Sequence, residues 1–170
     1  MLALRMLLAM LVLPGLSVIL IPAALVRLTR SMHVGWGLAS PWHVFPVVLG
    51  GLLIVFGLTF GAWTSALFLK FGCGTPAPWD PPRQLVIRGP YRHVRNPMIA
   101  SVFFMLLGEA ALFGSWVILG WFCVFLAANL VYIPAVEEPR LARRFGEDYL
   151  RYRRNVPRWI PRRTARASGA

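Results

Sequence analysis

The sequence predicts an all-α membrane protein of about four transmembrane helices followed by a C-terminal amphipathic helix. Three observations predict it. Of 170 residues, 58% are hydrophobic and 14% charged, with mean hydropathy +0.63; soluble domains are about half apolar and about a quarter charged. The apolar residues come in long runs, and one soluble core of this size has no room to bury them. The net charge of +12 gathers where the runs end. That is the pattern of positive-inside loops and of attraction to anionic headgroups, and it argues against nucleic acid as a partner.

Residues 1–69 hold the first two spans. The run between Arg5 and Arg27, "MLLAMLVLPGLSVILIPAALV", exceeds the roughly 7–15 apolar residues of a signal peptide and has the length of a crossing. It is expected as a retained helix with kinks at Pro14 and Pro22. The second run goes from about Val44 to Leu69 and contains Gly50, Gly51, Gly57 and Gly61. Gly57 and Gly61, four apart, form a small-residue pair that predicts close packing on another helix of the same chain rather than dimerisation.

Residues 70–96 form a polar loop in which Pro76, Pro78, Pro81 and Pro82 preclude a regular helix. "QLVIRGPY" reads as a short extended piece ending in a turn. Residues 97–136 form a hairpin of the third and fourth spans. Pro97 is a favourable first helical position, "FGS" at 113–115 is the connection, and the fourth run covers about Trp116 to Val136. Each leg is slightly short for a crossing.

Residues 137–170 are charged. Leu141, Phe145, Tyr149 and Tyr152 recur on one helical face with arginines opposite, which predicts an amphipathic helix lying on the membrane surface. Lys70, Arg83, Arg88, Arg92 and Arg95 in the loop, and ten arginines after residue 137, place both segments and both termini in the cytoplasm. Cys73 and Cys123 make no disulfide framework, and His33, His43 and His93 lack metal-ligand spacing. No metal is expected.

The chemistry concentrates in "IRGPYRHVRNPMIA" at 87–100 and "EEPRLARRFGEDY" from 137. A membrane hairpin returns the chain to the face it left, so Arg92, His93 and Arg95 are expected near Glu137 and Glu138. Arginines grip a carboxylate bidentately. A glutamate accepts from ribose hydroxyls or an ammonium, and Tyr91 offers a ring for adenine or a sulfonium. An amino-acid nucleoside fits both halves. The plainer alternatives are headgroup anchoring by Arg88, Arg92 and Arg95, an interfacial role for His93, and capping of the following helix by Glu137 and Glu138. Phe145 and Tyr149 read as packing residues. Glu109 is either functional or hydrated near the outer end of its helix, and Asn129 either bonds across helices or lines a cavity.

These two motifs, in order, resemble the integral-membrane methyltransferases, the isoprenylcysteine carboxyl methyltransferases and phospholipid N-methyltransferases with their bacterial relatives. The resemblance covers about residues 70–162. It implies a bacterial inner-membrane enzyme with a cytoplasm-facing cofactor pocket built by the last helices and the C-terminal segment. The implied cofactor is S-adenosylmethionine. The implied substrate is a small lipophilic carboxylate, thiol or amine that enters from the bilayer, with membrane lipids as surroundings. Arg95, Asn96 and Pro97 match the family's Arg-His/Asn-Pro element, and Ile99 stands where a tyrosine is usual. Glu137 and Glu138 match its acidic pair, Gly89, Tyr91 and Arg92 its Gly-x-Tyr-Arg element, and Phe145, Gly146 and Tyr149 its Phe-Gly-x-x-Tyr. The resemblance thus implies that Gly89, Tyr91, Arg92, His93, Asn96, Pro97, Glu137 and Glu138 bind cofactor, with Arg95 and Glu138 as the catalytic set. Two other classes share part of the pattern: an NADPH-dependent membrane reductase of a sterol- or enone-like lipid, and a non-enzymatic lipid-binding or assembly subunit. The sequence sets no oligomeric state.

Overall fold

The computed structural model describes residues 14–72 and 84–161, and among these it contains helices and no strand. The prolines at 76, 78, 81 and 82, Cys73, the start of the first run and the last nine residues lie outside the described part. A wide π turn, Leu16–Leu20, leads into α1, Ile21–Thr29, with Pro22 in the first turn of α1. Helix α2 is Val44–Leu67, extended by a π turn at Phe68–Gly72. Helix α3 is Pro97–Phe113 and α4 is Trp116–Tyr132. A third π turn, Ile133–Glu137, carries α4 without a break into α5, Glu138–Phe145, and α6 is Glu147–Asn155.

Three helical stretches are long and apolar enough to cross a membrane: Leu16–Gly37, Val44–Gly72 and Trp116–Phe145. The expected fourth leg, α3, is a 17-residue apolar helix. At about 1.5 Å per residue it reaches only about 25 Å, short of a hydrocarbon core of about 30 Å. It leans on α2 instead of standing alone. A Cβ on Gly57 would lie 2.6 Å from Met105 Cγ and 2.8 Å from the Ser101 carbonyl oxygen, and one on Gly61 3.0 Å from Ser101 Oγ. Further along, a Cβ on Gly50 would sit 2.7 Å from the Gly108 carbonyl oxygen, and one on Gly108 2.8 Å from that of Gly50. The small-residue pair read from the sequence therefore packs inside the chain, as expected, and the seam continues one more step through Gly50 and Gly108.

Towards α4, α3 presents Val102 and Leu106, which cluster with Met105, Val18, Trp121, Phe122 and Phe125. The first helix is tied to this layer by Trp121 Nε1, which donates to the Ser17 carbonyl (2.9 Å). Outward side chains of α2, among them Phe45, Val48, Leu52, Val55 and Leu58, are exposed. They form the apolar coat that a span presents to lipid. Asn129 bonds neither across helices nor into a cavity: its Nδ2 donates to the Phe125 carbonyl of its own helix (2.8 Å). The α3–α4 connection turns at Gly114, whose φ of 55° closes the helix in the left-handed region.

The C-terminal segment corrects the expectation of one helix on the membrane surface. It breaks at Gly146 (φ 56°, ψ −132°) into α5 and α6, in a conformation that favours glycine. The apolar face was legible, yet it is covered by protein. Tyr149, Tyr152 and Val156 are buried together with Leu85, Leu141, Ala142 and Phe145 packed around them.

Candidate active site

The 87–97 segment is folded onto the end of α2. After irregular backbone at 85–87 and an extended Arg88, the chain takes a short 3-10 turn, Gly89–Arg92. Gly89 has φ 54°, a conformation that favours glycine, and it packs beside the Leu67 side chain of α2. Arg88 lies over the Phe71 ring (4.3 Å), and the buried Tyr91 ring meets Phe68 edge-on (5.4 Å). Both contacts fix the segment before α3 starts at the buried Pro97.

The segment is then stapled to the C-terminus. Tyr152 Oη donates to the Tyr91 carbonyl (2.7 Å), and the Arg95 backbone N–H donates to the Pro157 carbonyl (3.0 Å). At the centre sits Glu138, with a side chain only 5% exposed. Its Oε1 accepts from Arg158 Nε at 2.7 Å and lies 3.1 Å from Arg95 Nη1, while Oε2 is 3.9 Å from Arg153 Nη1. A carboxylate so buried is tolerable because cations surround it. The hairpin argument thus brought Arg95 to Glu138 as expected. Arg92 is half-buried and makes no ion pair with either glutamate, and His93 is half-buried beside it.

Several polar atoms of this junction are buried without a hydrogen-bond partner: Tyr91 Oη, Arg95 Nε, Asn96 Nδ2 and Trp159 Nε1. The Asn96 side chain does not cap α3. Glu137 stands next to Glu138 just beyond the apolar part of the α4 rod. Burial raises the phenols of Tyr91, Tyr149 and Tyr152, with the Arg95 charge pulling the last two partly back. The Arg158 guanidinium is pushed up by its hydrogen bond to Glu138.

Arg158, Arg153 and Trp159 were not singled out from the sequence, and Tyr152 was read only as part of the amphipathic face. Trp159 stacks at 5.3 Å on Phe103 of α3, so the 156–160 strap reaches from the ionic cluster to the apolar helices. One signal was present: "VPRWIP" sets Arg158 and Trp159 between two prolines, which keep the strap out of a regular helix. Elsewhere, Glu109 is half-buried in α3 with Oε2 lacking a partner, and Ile99 is half-buried in the first turns of the same helix.

Among the described residues, apolar helices long enough to cross a membrane thus carry a buried cluster of charge around Glu138, beyond the end of α4. A family model described as phospholipid methyltransferase matches residues 45–148, from the start of α2 into α6, and the chain belongs to that family. No curated protein and no solved structure matches it.

Proposed function

We propose that the chain transfers a methyl group from S-adenosylmethionine to a small lipophilic acceptor, a carboxylate, thiol or amine, at the membrane–cytoplasm interface. The observation that carries this reading, within the family, is the set of buried unpartnered polar atoms in the 91–96 segment and the strap, the two segments that supply Arg95 and Arg158 to Glu138. Leaving a buried donor unpaired costs about 1–3 kcal/mol, and Tyr91 Oη, Arg95 Nε, Asn96 Nδ2 and Trp159 Nε1 are four such donors in the segments that meet there. A nucleoside with a carboxylate and ribose hydroxyls supplies the acceptors they lack. Glu137 has no ion-pair partner among the described residues, so it suits the ligand's ammonium or a hydroxyl.

When bound, the cofactor supplies a methyl group already activated on a sulfonium, so the protein has to align and to exclude water. Arg95 holds an anionic group of cofactor or acceptor through the donors that Glu138 leaves free. Glu138 fixes the Arg95 guanidinium and ties it to α4. Gly89, Arg92, His93 and Pro97 shape the wall between Tyr91 and α3. The acceptor's apolar part comes from the bilayer, past the aromatic side of α3 and α4. In the same reading α3 is the fourth leg of the bundle, and both basic segments face the cytoplasm.

Calorimetric titration of detergent-purified protein with S-adenosylhomocysteine, with NADPH alongside, tests the reading. Micromolar binding of the nucleoside alone is expected, with Arg95→Ala weakening it about 10- to 100-fold, the range for one charge-assisted contact. Binding of NADPH instead, or of neither, would overturn it.

A further inference from the structure

The strap borders a second feature, which shares Arg95 with the proposed methyl-transfer site and is otherwise lined by residues that site does not use. Beside Pro157 a cleft of about 490 Å³ opens to the surface, lined by Arg95, Arg153, Arg154, Val156, Ile160 and Pro161. Ligand clefts generally fall at about 300–1,000 Å³, so its size suits a headgroup. We propose that this cleft is a binding site for the phosphate headgroup of an anionic phospholipid of the surrounding leaflet.

The first argument is charge. Glu138 already receives Arg95 and Arg158 at close range. Arg153 reaches it only at 3.9 Å, and its side chain is 51% exposed. One carboxylate thus faces three guanidiniums, and Arg153 is the one whose donors are turned outward. Arg154 pairs with Glu147 at 2.6 Å, but both side chains are 64% exposed, so water competes for the pair and a phosphate diester can share the guanidinium. Between residues 138 and 161 seven arginines stand against three acids, which makes the whole rim attractive to anions.

The second argument is the apolar lip, which distinguishes a lipid from a free ion. Ile160 is 81% exposed. Its neighbour Trp159 lies against Phe103 in the apolar helix α3, so the strap that carries Ile160 is anchored on the apolar bundle. An isoleucine beside arginines there contacts an acyl chain while the guanidiniums hold the phosphate. The proposal does not depend on the methyltransferase reading.

Native mass spectrometry of the full-length protein in neutral detergent tests it, with phosphatidylglycerol, phosphatidylcholine or inorganic phosphate added separately. The expected result is one retained phosphatidylglycerol and little retained phosphatidylcholine. Arg153→Gln/Arg154→Gln should weaken retention about 25-fold, taking about fivefold per arginine near a membrane surface. Arg140→Gln, outside the cleft, should change it less than twofold. Ile160→Ser, at a position too exposed to unsettle the fold, should weaken lipid retention severalfold. Equal retention by the double variant, equal loss in Arg140→Gln, or equal binding of phosphatidylcholine would overturn the site. Displacement of the lipid by inorganic phosphate at matched concentration would make the occupant a free phosphate and overturn the headgroup assignment.

Discussion

Along the seam between α2 and α3, backbone meets backbone. Gly50 lies against Gly108, and Gly57 against Ser101 and Met105, with no room for a side chain. Around Glu138 the contacts are instead between side chains brought from three parts of the chain: Arg95 before the hairpin, Glu138 after it, and Arg158 on the strap. The seam distributes its attraction over many small dispersion contacts, which lipid on the outside cannot replace. The junction depends on one carboxylate. The difference teaches which part is scaffold and which part is site. The seam sets where α3 begins, and the junction uses that position to hold polar groups that the fold itself leaves unsatisfied.

The comparison breaks most readily at its hub. Glu138→Ala leaves Arg95 and Arg158 facing each other without an anion, and removing one partner of a buried pair costs about 3–5 kcal/mol. It should give the largest fall in thermal stability in detergent of any single change considered. A drop no larger than that of an exposed-pair variant such as Glu147→Ala would show that the hub is not structural.

The seam sharpens the comparison with two adjacent residues. Gly50→Ala forces a Cβ to within 2.6–2.9 Å of the α3 backbone, whereas a Cβ on Gly51 meets nothing within 4 Å. The first should lose about 1–3 kcal/mol by overpacking. The second should gain a few tenths to about 1 kcal/mol from helix propensity. Paired melting curves of the two variants check the sign as well as the size.

Tyr152→Phe is the mildest test. It removes the hydroxyl that serves the Tyr91 carbonyl and should cost about 1–2 kcal/mol. It also carries a pH signature. Burial raises the Tyr152 phenol above its ordinary 10.0. Such a group stabilises fully below its unfolded value, and that contribution fades as pH climbs past 10 towards the folded value. Stability of the parent chain should therefore decline above pH 10, and part of the decline should vanish in Tyr152→Phe. Tyrosinate absorbance followed along the titration reads it directly.

What could be read in advance follows the same division. Period and composition locate helices, so the runs, the hairpin and the Gly57–Gly61 contact were legible in sequence order. So was the meeting of Arg95 with Glu138, because a hairpin has only one face to return to. Arg158 was not legible, since its route to Glu138 passes a helix break at Gly146 and an irregular, bent strap, and neither has a period. The burial of the Tyr149–Tyr152 face was missed for a related reason. An amphipathic pattern states that a face is covered and leaves open whether lipid or protein covers it. The shortness of α3 was visible in its length, and its reliance on α2 required the seam.

The π turn at Ile133–Glu137 has a consequence for angular phase. Ile133 and Glu138 are both buried, at 1% and 4% exposure, although five positions separate them. On an uninterrupted α-helix five positions differ by about 140° in direction, so one of the two would point away from the protein. The i→i+5 winding of the wide turn brings them to the same side. A rod that obeys the bilayer's constraints up to Tyr132 thereby re-aims its next acidic residue inward, by winding alone and without a bend in the chain.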